Sequence, residues 1–525
     1  MIPWHETQDA IDGEILELRT RRNGYAPISK LLTELLEEIF ILARLLPCPW
    51  FPRCTGDRGW LNVAHVCWNW REIALNAPRL WNELDLSSIK HFEWVTASLQ
   101  YSQRASLHVK CTDSEREIAS LSVILEHMDR IQHLEFDSNA IRNPGGFSKI
   151  MEMIDTHDAH GRLLQSLRLH NQTPQFNSEG IHRVFRTVQI HHLQTLDIDL
   201  FTLPQTIPML PQLRRFSYHH PKEAAAQITT AAILSLLGKT PSLERLEIHV
   251  HTLASSDDTC MAIDLPDLTF ISYTADELAE PSMLRFIHYP PSARVKFMIH
   301  GTQPLSTLCK DELSAMISHM GSGGVTAAID FLSLSTYFSN FSMMARIGQE
   351  TVLDLYVSSA TILDDVTPLF KLSNMLPSGI RELRIGGLTS LRKEDRGIFS
   401  RRHLQVQTLF CSEVDTSFIR SLWRPPGSGQ LPFQELKILH LYNCEIKRAS
   451  FIAALERFLK ERLNSSSPLD LLKIGSCRIT KDILRHIEAY VKVEWDGHER
   501  FIDDYSNGEE SEDGDGDGEE EEDDD

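Results

Sequence analysis

The feature that most constrains this chain is a short apolar phrase, L-x-x-L-x-L with conservative swaps, that recurs through most of its 525 residues. Copies start at Ile131, Leu164, Leu193, Leu213, Leu243, Leu268, Val352, Ile380, Val406, Leu436 and Leu469, with weaker versions at Arg294 and Ile329. Thirteen starts across 338 residues put one phrase about every 28 residues. On an extended strand, residues two apart share a face, so the fourth and sixth positions point together into a core while the third, fifth and seventh point out. A single strand of this kind cannot bury its apolar side alone. Stacked copies share one continuous core, which predicts a coil of parallel strands with intervening helical stretches such as Ser450 to Leu463 covering the outer face.

Two copies run on into a longer form, LKILHLYNCEI (Leu436 to Ile446) and LDLLKIGSCRI (Leu469 to Ile479), with Cys at the ninth place and Ile at the eleventh. In IQHLEFDSNAI (Ile131 to Ile141) the ninth residue is Asn139, which can satisfy backbone groups where the chain leaves the strand; Cys444 or Cys477 would do so more weakly. The period falls in the window of leucine-rich repeats. The register also selects a candidate recognition face. Its seventh-position row is His170, Asp199, His219 and His249, and its fifth-position row is Arg168, Asp197, Ser217 and Glu247, on strands roughly 4.8 Å apart. Near the other end, Arg384, Phe410, His440 and Tyr442 hold equivalent outward places. Exposed aromatic and charged groups suit protein recognition. A row of His, Asp, His and His can also titrate near neutral pH or hold zinc, and the expectation is a protein-binding patch without metal.

Charge limits the partners. The formal charge is -21, but thirteen of the 73 acids lie between Glu509 and Asp525, which leaves the remainder at -8, with 52 bases against 60 acids. Neither part has the clustered Lys and Arg of a nucleic-acid surface, so no nucleic-acid partner is expected. Residues 506–525 are nearly all Gly, Asp and Glu, with like charges that repel and no apolar area to offset ordering entropy; a disordered acidic tail is expected. No apolar run approaches the ~20 residues that span a bilayer, so no membrane partner is expected. The acidic start MIPWHETQDAIDGEILEL shows no secretory signal. Nine scattered cysteines suit a reducing compartment, the cytoplasm or nucleus.

Ahead of the phrases, Leu31, Leu32, Leu35, Leu36, Ile39 and Phe40 recur at helical spacing, with Ser29 or Thr33 available as N-cap. After a loop from Pro47 to Gly59, a second helix places Val63, Val66, Cys67, Trp70, Ile73 and Ala74 on one face, and Pro78 stops it. Two short helices bury little area, so this unit leans on a partner or on the following domain. Ile11, Ile15 and Leu18 predict a further short helix that covers it.

The stretch LLTELLEEIF (Leu31 to Phe40), then VAHVCWNWREIALNAPRLW (Val63 to Trp81), then leucine-rich repeats, resembles the F-box and leucine-rich-repeat proteins common in mushroom-forming fungi, over nearly the whole chain. Leu31, Glu34, Leu35, Leu36, Ile39 and Phe40 fit the family's opening, with Leu32 where proline is expected. Val66, Cys67, Trp70, Arg71, Ile73, Ala74, Pro78 and Trp81 fit its second helix, with Trp68 in place of a usually basic residue. The resemblance implies an α/β chain with an N-terminal helical extension (1–26), an F-box-like module (27–90), a leucine-rich-repeat solenoid curved as a horseshoe (91–505) and the tail (506–525). It further implies a non-catalytic substrate receptor of a Skp-cullin-F-box ubiquitin ligase. In that family the helices dock on a Skp-type adaptor, which links to cullin and RING subunits, while the repeats hold the protein to be ubiquitinated. The adaptor-facing candidates are Leu31, Leu32, Leu35, Leu36, Ile39, Phe40, Val66, Cys67 and Trp70. Trp70 and Trp81 have two possible destinations, the adaptor or the seam between the helices and the first repeat. The alternative function is a free-standing repeat scaffold whose divergent helices recruit no ligase.

Other chemistry is absent from the sequence or weakly signalled. No nucleophile elbow, phosphate-cradling glycine loop, His-Glu-x-x-His or paired Cys-x-x-Cys occurs, so neither enzyme activity nor a cofactor is expected. Cys48, Cys54, His65 and Cys67 fit no common zinc spacing. DGDGDG (Asp513 to Gly518) imitates the opening of a calcium loop without flanking helices, and Ser511 among acids suits an acidophilic kinase.

Overall fold

A computed structural model of the chain describes residues 4–45, 59–87, 89, 91–112, 114–138, 149, 152–153, 163–171, 192–201, 203, 207–220, 228–250, 253–254, 261–275, 283–301, 329–337, 340–359, 379–387, 403–423, 431–444, 446, 448–465, 467–477 and 479–497. The readings placed on Cys48, Cys54, Asn139, Ser511 and the acidic tail lie outside these residues. The fold is mixed α/β with a long, mostly parallel sheet. The chain divides into two compact units, residues 1–325 with 351–361 and residues 326–350 with 362–525.

The first unit carries β1 (Glu83–Asp85), β2 (Leu107–Thr112), β3 (Ile131–Ser138), β4 (Ser166–Asn171), β5 (Thr195–Asp199), β6 (Arg215–His219), β7 (Arg245–Val250), β8 (Phe270–Ala275) and β9 (Arg294–Gly301), paired in parallel in that order. The second unit opens with β10 (Phe331–Tyr337) and β11 (Asn340–Ile347), an antiparallel pair. Then β12 (Glu350–Ser359) returns to the first unit and lies parallel on β9. In the second unit β10 pairs with β13 (Glu382–Gly386), followed by β14 (Thr408–Ser412), β15 (Ile438–Tyr442), β16 (Leu471–Gly475) and β17 (Val493–Trp495), all parallel.

Burial follows the phrase. Leu193, Leu196 and Ile198 are fully buried, as are their counterparts Leu243, Leu246 and Ile248, while the residues between them are half exposed. Two starts are displaced: Val295 and Phe297 pair with Ile271 and Tyr273, the fourth and sixth places of the Leu268 phrase, and Leu353 and Leu355 pair in turn with Val295 and Phe297, so the phrases expected at Arg294 and Val352 begin two residues earlier. A two-residue error preserves which face is buried, because side chains alternate with period two. Chain order also departs from spatial order here, since β9 skips β10 and β11 to reach β12. The residue after the strand takes a left-handed conformation in several turns, at Leu200, Gly387, Glu413, Asn443 and Ser476. At Gly387 a side chain would collide with the Thr336 carbonyl, so glycine is required there.

The expected ninth-position role holds for both cysteines. The Cys477 thiol donates to the Leu441 carbonyl at 3.4 Å, and the Cys444 thiol to the Tyr442 carbonyl at 3.3 Å. Among the outer helices, Glu115–Leu125 starts on Ser114, whose hydroxyl accepts from the Glu117 amide and donates to the Glu117 carboxylate at 2.9 Å, while that carboxylate also accepts from the Thr112 amide. Helix Ala449–Leu463 turns Phe451, Leu455, Phe458 and Leu459 inward. Its Arg462 is 1% exposed and donates to the carbonyls of Pro432, Phe433, Leu436 and Ser467.

At the N-terminus, α1 (Trp4–Gly24) and α2 (Thr33–Leu45) form as helices, with a short 3-10 turn at Pro27–Lys30 between them. The expected second helix is split into a 3-10 segment, Gly59–His65, and α3 (Trp68–Leu75), with Cys67 extended as its N-cap. The Asn, Val and His of the first part are weak helix formers, and Cys67 therefore lies at a cap instead of on an apolar helix face. The expected cover by α1 does not form: every described position from 8 to 22 is exposed, Ile11 at 53% and Leu18 at 54%.

Candidate functional site

The helical segments from α2 to α3 build a small core from Leu36, Phe40, Ile73, Ala74, Ala77, Leu80 and Trp81, with Trp70 packed against it. Leu36 and Phe40, two of the adaptor-facing candidates, are therefore interior groups that shape the module. Trp70 stands with its ring 5.1 Å from that of Phe40. The other candidates remain outside: Leu31 and Leu32 are exposed just ahead of α2, Leu35 and Ile39 along it, joined by Leu42, while Val66 is exposed just ahead of α3 and Trp68 at its start. Leu32 and Trp68, the two departures from the family pattern, are exposed 68% and 64%. Cys67 is half exposed.

Trp81 settles in the seam. Its ring lies 4.7 Å from Tyr101 and 5.4 Å from Trp94 on helix Phe92–Tyr101, and its indole N–H donates to the Ala74 carbonyl at 2.8 Å. A contact that the sequence did not reveal reinforces this junction. The Arg44 guanidinium, nearly buried, pairs with Glu83 on β1 and donates to the Leu80 carbonyl at 3.2 Å, while Arg79 pairs with Glu38. The exposed apolar row is thus held in a fixed orientation relative to the first strand.

The outward face of the first unit forms the second candidate. Pairing brings His170, Asp199, His219 and His249 into one row, and Arg168, Asp197, Ser217 and Glu247 into the next, as the register predicted. All of these line one depression of about 660 Å³, together with Glu135, Asp137, Ser272, Thr274, Lys296 and Met298. The fifth-position row extends beyond the predicted residues, through Lys110 and Glu135 on one side and Lys296 on the other, and Lys110 pairs with Glu135. Lys110 and Lys296 carry no signal in the spacing because LHVKCT lacks a preceding leucine at the proper distance and the Arg294 phrase is displaced, whereas Glu135 stands at the fifth place of the Ile131 phrase and was open to the same reading.

Asp199 is the centre of this floor. Its carboxylate pairs with Nδ1 of His170 and, at 2.8 Å, with Nδ1 of His219, whose ring stacks on His249 with centroids 4.1 Å apart. Burial opposes ionisation of Asp199, but the hydrogen bonds and charge from His219 and His170 outweigh it and hold the carboxyl below its ordinary 3.8. Asp197 is shifted the other way: burial pushes it up, with Asp199 and Glu247 adding to the effect. Both imidazoles are thus oriented by one carboxylate, and Nε2 of His170 lies 4.0 Å from Asp137. Among the described residues no group of three His, Cys, Asp or Glu is arranged to hold a metal.

A depressed carboxyl pKa stabilises the fold above pH ~3.8, and that contribution disappears as pH falls through the lower folded value. Asp199→Asn is expected to cost about 1 kcal/mol at pH 7 and to flatten the loss of stability below about pH 4. Urea unfolding across pH measures both; an acid limb as steep as that of the native chain would rule out the clamp.

In the second unit, Arg384, Phe410 and His440 pair across adjacent strands, and Tyr442 stands one outward position further along β15. Arg384 lies over the Phe410 ring at 5.7 Å and the Phe331 ring at 5.1 Å, and Phe410 lies 6.1 Å from Tyr442. Gly475 leaves space for the Tyr442 ring, which a side chain there would meet at 3.1 Å. Burial lowers the His440 pKa, with Lys473 and Arg384 contributing, so its ring favours the neutral form.

No family model matches the chain, and no curated protein matches it. Among solved structures, a leucine-rich-repeat-containing protein from Legionella pneumophila, LegL7, is similar at 9% identity over 73% of this chain and 94% of its own, with a TM-score of 0.21. Among the described residues no helix is long and apolar enough to cross a membrane.

Proposed function

We propose that the chain is a non-catalytic receptor subunit of a Skp-cullin-F-box ubiquitin ligase, with α2 and α3 as a divergent F-box and the repeat strands as the surface for a target protein. The observation that carries the reading is the apolar row that starts just ahead of α2 and continues along it. Leu31, Leu32, Leu35, Ile39 and Leu42 face solvent although the module has its own core of Leu36 and Phe40. A contiguous exposed apolar row on a small module marks a protein interface. The Skp-type adaptor is its occupant, and cullin and RING subunits join through the adaptor. The target occupies the floor around Asp199 and the aromatic group around Phe410, through side-chain hydrogen bonds and stacking.

Leu35→Asp with Ile39→Asp is expected to weaken adaptor binding at least ~100-fold, because two carboxylates replace the middle of the apolar row. Purified adaptor is titrated into the full chain by calorimetry. Leu32→Pro, which restores the family's residue, should bind at least as tightly as the native chain. If the native chain captures no adaptor and Leu32→Pro does, the reading as a ligase receptor fails and the free-standing scaffold takes its place.

A further inference from the structure

From position 8 to 22, helix α1 leaves its apolar residues uncovered. Its described positions from 8 to 22 are all exposed, including Ile11, Ile15 and Leu18. A helix draws most of its stability from packing an apolar face, and Gly13 near the middle of this one weakens it further. A partner is needed, and the sequence of the helix states which kind.

Trp4, Ile11 and Leu18 recur every seven residues along α1, and Tyr25 continues the spacing just past its end, with Gln8, Ile15 and Arg22 four residues after the first three. This is the seam of a two-helix coil. Asp12 and Arg19 flank the seam on one side, and Glu14 and Arg21 on the other. The first half of the helix has Glu6, Asp9, Asp12 and Glu14 without Lys or Arg, whereas the second half has Arg19, Arg21 and Arg22 with Glu17. Arg21 pairs with Glu17 within the helix at 3.4 Å in an exposed contact, which holds it weakly.

We propose that α1 is a self-association helix that pairs antiparallel with α1 of a second copy of this chain. With Ile15 of one copy against Leu18 of the other, Asp12 faces Arg19 and Glu14 faces Arg21, and two-fold symmetry repeats each pair. A parallel pair would stack Arg22 on Arg22 and keep only Glu14 against Arg19, half as many ion pairs as the antiparallel form. The complementarity of the helix with itself in reverse selects the second copy over an unrelated partner. The reading is independent of adaptor docking, since α1 covers none of the α2 row.

Sedimentation velocity of the full chain at about 100 µM, above the micromolar Kd that small interfaces support, should give twice the chain mass. Ile15→Glu with Leu18→Glu should return it to one chain mass with its unfolding midpoint unchanged. Arg19→Glu with Arg21→Glu should also yield single chains, and adding Asp12→Arg with Glu14→Arg in the same chain should restore the dimer. A native chain of single mass at that concentration, or a dimer that survives Ile15→Glu with Leu18→Glu, overturns the proposal; a reversed-charge chain that stays single while its helix is intact by circular dichroism overturns the antiparallel arrangement.

Discussion

Trp81→Ala is expected to lower the stability of the first unit by about 3–5 kcal/mol, the range for deleting a buried aromatic side chain. The ring is packed between the core of the helical module and the helix that follows β1, against Tyr101 and Trp94, and its N–H is the donor to Ala74. Its loss opens a cavity at the point where the module meets the first repeat. The effect concentrates there, so protease cleavage between residues 60 and 80 should accelerate before the global transition. Trp81→Phe keeps much of the apolar contact and loses the indole donor, and should cost about 1–2 kcal/mol. Leu35→Asp, on the exposed row, should leave the unfolding midpoint within about 0.5 kcal/mol of native. Equal losses from Trp81→Ala and Leu35→Asp would mean that the seam and the docking row have been confused.

Arg462→Ala is the second large effect, expected at about 3–5 kcal/mol in the second unit. The guanidinium is buried and donates to four backbone carbonyls from two loops, and burial pushes its pKa down to about 10. Removing it leaves carbonyl oxygens of Pro432, Leu436 and Ser467 without that donor in a dry environment. Arg462→Lys keeps a charge but lacks the planar fork, and should recover less than half of the loss. Hydrogen exchange of the segments around residues 431–436 and 467–470 provides the local reading. A loss under about 1 kcal/mol for Arg462→Ala would show that water replaces the guanidinium there.

The alternation of apolar and polar residues was legible because period two survives small errors in register. The spacing places the Arg294 and Val352 phrases two residues late, yet it puts the same face inside. The partner of each strand was less legible. Nothing local in Arg294–Gly301 says that it pairs with Glu350–Ser359 and not with the strand that comes next, because hydrogen-bonding edges look alike in every copy. The left-handed position after the strand was hidden by its variety, with Leu, Gly, Glu, Asn and Ser all filling it. For the candidate sites, the His170 to His249 row followed from spacing alone, whereas the Arg44–Glu83 pair joins an unrepeated helix to an unrepeated strand and leaves no periodic trace. On α2 helical spacing identified the apolar residues, but which side became core depended on where α3 lay, and α3 was read too long. Leu36 and Phe40 were therefore grouped with Leu35 and Ile39 although they point to opposite sides.

The detour of the chain between β9 and β12 has a consequence for synthesis on the ribosome. After Gly301 emerges, about fifty further residues must be translated before Glu350–Ser359 can close the edge of Arg294–Gly301. At roughly 5–20 residues per second that edge stays open for several seconds of elongation, and an unpaired edge invites foreign strands. Nascent chains stalled between those two points would be the species that a chaperone must shield.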